Sequence, residues 1–258
     1  MRTPALFIGH GHPLNALLDN NYTRCLRQLG EGLAKPELIL MISAHWESFD
    51  TQISVHPQPP MIYDFGNFAP ELFQITYPAA GAPEWAARVQ KLLGDFPVKL
   101  NAQRGFDHGT WTVLHWLFPK ADVPVLQLSL AVDLSPAEHY QLAQGLAALR
   151  EQGVMIIGSG NIVHNLAQVN WRQIDGVPPL RWAVQFDEWV KQQCLAGNHE
   201  ALINYPKYGQ AALLSVPTAE HYLPLLYVLA TQQPEEELKF VFEGFQNAAI
   251  GMRSVQLG

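Results

Sequence analysis

Three histidines of this 258-residue chain each follow a run of apolar residues with the length of a β-strand. His10 follows the run that ends in FIG, His45 follows LILMISA, and His164 follows VMIIGSGNIV. Ligands of open α/β sheets bind outside the carboxyl ends of the strands, so these imidazoles are expected at one edge of a sheet. Imidazole is the commonest metal ligand in proteins. A lone histidine is more often structural, but recurrence at equivalent positions predicts a metal centre.

Two further histidines extend this set. His108 lies in RGFDHGTW, just ahead of a helical stretch, and His221 lies in TAEHYLP, near the start of another helix. Three or four imidazoles that converge on one point suit zinc or Fe(II). His12 is interpreted as a neighbour of the His10 turn. The remaining histidines are predicted to be structural or solvated; they are His56, His115, His139 and His199.

Several better-known site motifs are absent from the sequence. There is no HExxH, so the zinc metalloprotease pattern is missing. GHGHPL lacks the third glycine of a dinucleotide-binding loop, and IGSGN is not the G-x-S-x-G of a nucleophile elbow. No phosphate-binding GxxxxGK[ST] occurs. The chemistry is therefore expected from histidines that are distant in sequence.

Apolar runs predict the strands that must position these side chains. The predicted strands are 5–9, 38–44, 52–55, 98–101, 123–129, 154–158, 212–216 and 239–243, with an alternating run at 252–256 interpreted as an edge strand. Several of these are continuous Val, Ile and Leu runs, which are typical of a sheet buried on both faces.

Amphipathic stretches between the strands predict the helices 14–30, 82–94, 135–150, 178–195 and 218–230. Pro224 is expected to kink the last helix or to mark its true start. Alternation of strands and helices predicts an α/β fold with a mostly parallel central sheet and helices on both faces. The length favours one domain, which we take to span residues 1–258.

The segment 55–73 interrupts this regular pattern with four prolines and four aromatic residues. Long loops inside compact domains are often functional, so the segment is interpreted either as a lid over a pocket or as a plain surface excursion. In the first case Tyr63, Asp64 and Phe65 would contact a substrate.

Composition excludes several classes of protein. A net charge of −7, a pI near 5.8 and the absence of any Lys/Arg cluster argue against nucleic acid as a partner. The longest apolar runs are about half the roughly 20 residues of a membrane helix, so no membrane association is expected. Two distant cysteines and no signal-peptide pattern predict a cytoplasmic protein.

Five segments carry a resemblance to a known family: GHGHP, SAHWE, GFDHGTW, GSGNIVHN and EHYLPLLYVL, in this order. The sequence resembles the class III extradiol ring-cleavage dioxygenases, and within them the 4,5-DOPA extradiol dioxygenase group, from residue 4 to the C-terminus. The resemblance implies one α/β domain, one divalent metal, Zn(II) or Fe(II), and O2 with a small catecholic substrate. The implied reaction opens a DOPA-like catechol ring beside its hydroxyls, which would give seco-DOPA.

The resemblance also implies roles for the five histidines. His10, His45 and His221 would be metal ligands, with Glu220 as an alternative to its neighbour His221. His164 would be a fourth ligand or a nearby acid/base. His108 would be the catalytic acid/base or a substrate contact. The predicted ligand set is therefore His10, His45, His164 and His221, and the predicted catalytic residue is His108. His12 stands where the group's commoner motif has serine.

Two other functions remain open at this stage. A zinc-dependent hydrolase could use the same histidines, with Glu47, Asp107 or Glu220 activating water. A non-enzymatic binding protein could retain the fold and the pocket. The sequence does not settle the substrate, the native metal, or whether copies of the chain form a homo-oligomer.

Overall fold

The computed structural model describes residues 2–66 and 68–258; Met1, and Asn67 in the predicted lid segment, lie outside the described residues. The strands are β1 Ala5–Gly9, β2 Leu38–Ser43, β3 Glu47–Ser48, β4 Thr51–Ser54, β5 Val98–Asn101, β6 Val125–Gln127, β7 Leu130–Ala131, β8 Val154–Gly160, β9 Leu238–Phe242, β10 Phe245–Gln246, β11 Ile250–Gly251 and β12 Ser254–Leu257. The α-helices are α1 Asn21–Gly32, α2 Ala86–Leu92, α3 His108–Leu117, α4 Pro136–Gln144, α5 Ala147–Arg150, α6 Arg181–Leu195, α7 His199–Ile203, α8 Gln210–Ser215 and α9 Leu223–Leu229.

Six strands form the central sheet in the order β6-β2-β8-β1-β12-β9. The first four are parallel to one another, and β12 runs antiparallel between β1 and β9. Three short two-stranded sheets pair β3 with β7, β4 with β5, and β10 with β11. The predicted α/β fold with a mostly parallel central sheet is confirmed.

Helices cover both faces of this sheet, as predicted. Successive side chains of a strand point to opposite faces, and both faces here are apolar. Leu6 and Ile8 of β1 pack into the core beside α1 and α3, whereas Ala5 and Phe7 pack into the core beside α4 and α9. The parallel strands read as continuous apolar runs because neither face meets water.

Two predictions about single elements are wrong. The run 212–216 lies in helix α8 and its end, which pack against α6 instead of joining the sheet. A short apolar run does not distinguish a buried strand from a buried helix. The run at 252–256 overlaps β12, which is not an edge strand because it pairs with both β1 and β9. The buried hydroxyl of Ser254 accepts from the Gly9 amide and donates to the Met252 carbonyl, so this polar side chain is satisfied inside the sheet.

Prolines and caps set the ends of two helices. Pro224 lies in the first turn of α9 and therefore marks where that helix begins. This is one of the two roles that the sequence predicts for it. The predicted helix 14–30 divides into a 3₁₀ turn, Pro13–Ala16, and helix α1. Asn20 caps α1 through a reciprocal bond with Thr23.

Within residues 2–66 and 68–258, no helix is both long and apolar enough to cross a membrane.

Candidate metal centre

Three adjacent parallel strands, β2, β8 and β1, deliver histidines to the same edge of the sheet. His10 follows β1 directly, His45 lies two residues beyond β2, and His164 lies four residues beyond β8. His221 joins them because its carbonyl accepts a 2.8 Å hydrogen bond from the Asn161 amide at the end of β8. The carboxyl ends of these strands therefore bring together side chains that lie up to 211 residues apart in sequence.

Three of these histidines place their ring nitrogens around one point. The candidate ligand nitrogens of His10, His45 and His221 all lie within 4.8 Å of one another. The Nε2 atoms of His10 and His45 are 3.2 Å apart. Two nitrogens bound to one tetrahedral ion at 2.0–2.1 Å are separated by about 3.3 Å, so the observed spacing fits a shared ion.

A hydrogen-bond relay sets the tautomer of His10. The buried Ser159 hydroxyl donates to the Gly109 carbonyl at 2.6 Å, and a carbonyl can only accept. Ser159 Oγ, 2.9 Å from His10 Nδ1, must therefore accept the proton of that nitrogen. The lone pair of His10 is left on Nε2, the atom that faces His45.

Acceptors also face the Nδ1 atoms of the other two rings. Glu220 Oε1 lies 3.0 Å from His221 Nδ1 and also accepts from the Thr218 hydroxyl. His221 Nε2 is buried and has no hydrogen-bond partner among residues 2–66 and 68–258. Asp64 Oδ2 lies 3.4 Å from His45 Nδ1. Second partners of this kind fix metal-binding histidines in the required tautomer, so all three rings fit a metal through Nε2.

The backbone around His45 is held by a buried ion pair. Asp107 pairs with Arg104, and Arg104 donates to the His45 carbonyl at 3.1 Å. Asp107 Oδ1 also accepts from the Ser43 hydroxyl at 2.7 Å. A Cβ atom on Gly109 would lie 2.6 Å from Ser43 Oγ and 3.0 Å from His45 Cδ2, so only glycine fits there. These contacts leave the His45 ring little room to move.

Burial keeps the clustered imidazoles neutral. Desolvation, reinforced by neighbouring histidines, lowers the pKa of His10 and of His221 well below the ordinary value. The same causes lower the pKa of His45 to about 4 and that of His164 to about 3. Neutral imidazole is the form that binds metals, so the rings are ready for an ion at neutral pH.

The rings line a cavity of about 340 Å³. Its described lining includes His10, His45, His108, His164 and His221 at one end, and His12, Phe68, Leu166, Val169 and Trp171 elsewhere. Asp64, Phe65 and Gly66 of the predicted lid segment form part of one wall. A volume of this size accommodates a small aromatic ligand.

The chain matches the family model "Catalytic LigB subunit of aromatic ring-opening dioxygenase" over residues 9–257. It belongs to the LigB family.

Curated relatives of this LigB-family chain include proteins named "4,5-DOPA dioxygenase extradiol". The one from Escherichia coli K12 is 42% identical over 100% of this chain and 95% of its own length. The one from Portulaca grandiflora is 36% identical over 97% of this chain and 94% of its own length. A solved structure of an uncharacterized Escherichia coli K12 protein superposes with a TM-score of 0.86 at 40% identity, and each chain is covered completely.

His108 is paired with a carboxylate in this LigB-family site. Its Nδ1 lies 3.0 Å from Asp64 Oδ1, although out of line for a hydrogen bond, and its backbone amide donates to the same oxygen at 2.9 Å. Burial opposes ionisation of Asp64, but the facing His108 and His45 rings outweigh it and bring the pKa of the carboxyl to about 2. The ring of His108 lies 3.9 Å from that of His45, between centroids. An imidazole beside an ionised carboxylate can exchange protons with a ligand in the cavity.

His164 lies beside the three-nitrogen group and is not part of it. Its ring stacks on His221 at a centroid distance of 3.5 Å and an interplanar angle of 6°. Its candidate ligand atom lies within 4.8 Å of those of Glu220 and His221. The structure thus brings His164 to the cavity, but it groups the nitrogens of the other three predicted ligands without it.

Sequence reasoning missed the residues that orient the rings. Ser159 gave no signal beyond membership of a turn, and Asp64 was predicted only as a substrate contact. Glu220 was considered as an alternative ligand, yet here it accepts from His221. Its role as a hydrogen-bond acceptor could have been inferred from the sequence, because Glu220 directly precedes a candidate ligand, His221.

The histidines predicted to be structural lie outside the cavity lining. His139 contacts the Tyr227 hydroxyl at 2.9 Å in the core, and His199 lies between Tyr140 and Gln232. His56 accepts from the Gln58 amide at 3.1 Å.

Proposed function

We propose that this LigB-family protein is a metal-dependent extradiol dioxygenase that opens the ring of a DOPA-like catechol with O2, by 4,5-cleavage to seco-DOPA. The observation that carries the proposal is the convergence of three imidazoles, each with its Nδ1 facing an acceptor, beside the pair formed by His108 and Asp64. The relatives named 4,5-DOPA dioxygenase extradiol support the choice of substrate.

His10, His45 and His221 would hold one divalent ion per chain through their Nε2 atoms. A divalent ion held there would supply Lewis-acid chemistry toward catechol oxygens; Fe(II) would also supply oxygen chemistry, whereas zinc has no redox chemistry. The all-imidazole donor set accepts either metal. Glu220 acts by accepting the His221 Nδ1 proton, which keeps Nε2 available for the ion.

His108 is the residue that we assign to proton transfer. The ionised carboxylate of Asp64, 3.0 Å from His108 Nδ1, favours the tautomer with the proton on that nitrogen, which leaves a lone pair on Nε2. His108 can take a proton from a catechol hydroxyl and return it when the ring opens. His164, initially predicted as a fourth ligand, is proposed instead as a nearby acid/base, because its ring stacks on His221 outside the three-nitrogen group.

We assign the whole of residues 1–258 to one catalytic domain, since the candidate ligands come from strands and loops across its length. The zinc hydrolase and the binding-protein alternatives have no support from the relatives, which are named as dioxygenases. A cytoplasmic location stays a prediction, and the formation of a homo-oligomer stays open.

The test is anaerobic reconstitution with Fe(II), followed by addition of L-DOPA and air. We expect O2 uptake together with a yellow ring-opened product, and loss of both in a His45→Ala variant. The matched control is His56→Ala, which removes an imidazole outside the cavity and should retain both signals. Absence of O2 uptake across a panel of catechols, with zinc held tightly by the isolated protein, would contradict the proposal.

A further inference from the structure

An aromatic wall leads away from the candidate metal centre. Ring centroids are 5.7 Å apart for His108 and Phe65, 6.3 Å for Phe65 and Phe68, 4.4 Å for Phe68 and His12, and 6.3 Å for His12 and Trp171. All five side chains line the cavity. A catechol with its hydroxyls at the metal end would extend its ring substituent along this wall, toward His12.

His12 has its protonation pattern set by the backbone. Its Nδ1 accepts the Leu14 amide at 3.1 Å, at the start of the 3₁₀ turn that begins with Pro13. A protonated ring would have donors at both nitrogens and would lose this bond. The neutral ring with Nδ1 as acceptor carries its proton on Nε2. That N–H has no hydrogen-bond partner in the part of the chain that the structure describes, 2–66 and 68–258.

Charged groups elsewhere in the cavity are carboxylates. Asp64 and Glu220 line it, and no lysine or arginine does so among the described residues. The side-chain amide of Asn247 donates to two backbone carbonyls, Asn170 and Gln173, and is therefore occupied. At the far end of the wall from His108, two side-chain N–H groups have no hydrogen-bond partner among the described residues: those of His12 and Trp171. The His12 ring is the one held in place by a backbone hydrogen bond, so its N–H is the oriented donor for an oxygen of the substituent.

We propose that His12 Nε2–H binds a carboxylate on the ring substituent of the substrate, so that this enzyme selects catechols whose side chain bears an acid group. The proposal rests on the proposed ring-opening function and adds the residue that recognises the acid group of the substrate. Apolar side chains beside His12, Trp171 and Val169 among them, would contact the methylene part of the substituent. His12 is a specificity-determining residue in this view and takes no part in ring opening.

Two substrates isolate the carboxylate. 3,4-Dihydroxyphenylpropanoate and dopamine have the same ring and the same two-carbon spacer, and they differ in ending with a carboxylate or an ammonium. The quantity to measure is the ratio of kcat/KM for the acid over the amine. Loss of a hydrogen bond to a charged group should lower this ratio about tenfold or more, mainly through KM for the acid.

Two substitutions separate the donor of His12 from its structural bond. His12→Asn places an amide oxygen where Nδ1 accepts from Leu14, but it lacks a donor at the position of Nε2. His12→Gln reaches that position with an amide N–H but loses the acceptor for Leu14. We expect the ratio to fall in His12→Asn and to be preserved in His12→Gln, even if His12→Gln is the less stable protein.

His56→Asn is the matched control. His56 is also followed by proline, and its Nδ1 also accepts the amide two residues on, at 3.1 Å, but it lies outside the cavity. Anaerobic calorimetry of the two catechols with each protein gives a second readout that does not depend on turnover. The dissociation constant of the acid should rise in His12→Asn alone.

An equal fall in the ratio for His12→Asn and His12→Gln, or no fall in His12→Asn, would overturn the role of His12 while wild-type ring opening stands. A wild-type protein that opens neither of these catechols nor L-DOPA overturns the proposed function itself, and the calorimetric comparison then decides whether the acid still binds through His12.

Discussion

Replacement of Ser159 by alanine should weaken the candidate metal centre without touching a ligand. The Ser159 hydroxyl accepts from His10 Nδ1 at 2.9 Å and donates to the Gly109 carbonyl at 2.6 Å. Alanine removes both bonds at a position with no solvent exposure. His10 then loses the contact that fixes its tautomer, and both tautomers of the neutral ring become accessible.

The size of the effect follows from the two bonds. Loss of an orienting partner of a metal-binding histidine lowers metal affinity by about 10- to 100-fold. A buried group left without its partner costs about 1–3 kcal/mol. Ser159→Ala leaves His10 Nδ1 in that state, whereas the Gly109 carbonyl, in the first turn of α3, keeps its helical hydrogen bond. Allowing for partial relaxation, we expect about 2 kcal/mol lower stability in the metal-free protein, or a Tm lower by about 4–8 °C.

Metal affinity is measured by competition with a chromophoric chelator, and stability by thermal unfolding of the metal-free protein. Ser215→Ala is the matched control, because Ser215 is equally buried but its hydroxyl has no hydrogen-bond partner among the described residues. That variant should retain wild-type metal affinity. Equal metal affinity in wild type and Ser159→Ala, with a crystal structure showing no replacement water, would refute the assigned tautomer of His10.

Three further predictions concern other parts of the structure. Glu220→Ala should lower metal affinity about tenfold in the same chelator assay, since its carboxylate orients a proposed ligand; wild-type affinity would contradict that role. Gly109→Ala should cost about 1–3 kcal/mol in denaturant unfolding, because the new Cβ would lie 3.0 Å from His45 Cδ2. Burial works against ionisation of Glu236, but hydrogen bonds from the buried Arg150 outweigh it and lower the pKa of the carboxyl below its ordinary 4.5. This contribution to stability is therefore present at neutral pH and is lost as the pH falls through the folded pKa, so Glu236→Gln should be destabilising at pH 7 and the difference should shrink at acid pH in urea titrations.

Apolar runs were sufficient to find every strand of the central sheet. Ala5–Gly9 was predicted with its observed bounds, and the runs at 38–44 and 154–158 differ from the observed strands by one and two residues. Such runs are informative because both faces of a parallel sheet are buried. The run at 212–216 misled for the same reason, since a buried helix presents the same composition.

The histidines at the strand ends were also predictable, because strand direction alone places them at one edge. Their hydrogen-bond partners were not. Ser159 orients His10 through a hydrogen bond between residues that are 149 positions apart in sequence. The side from which Asp64 approaches His108 depends on the path of a loop. The order of the strands, on which these distances depend, is set by packing between elements distant in the chain.

The position of β12 affects when the site can form during synthesis. β1, which His10 follows directly, pairs with β8 on one side and with Ser254–Leu257 on the other. Every proposed ligand has left the ribosome before β12 has, yet until then one side of β1 has no partner strand and its amides stay exposed. Firm positioning of His10 therefore waits until β12 has been synthesised and has paired with β1. Contacts this distant in sequence also slow folding, so firm metal binding should follow the pairing of β12 with β1 and not precede it.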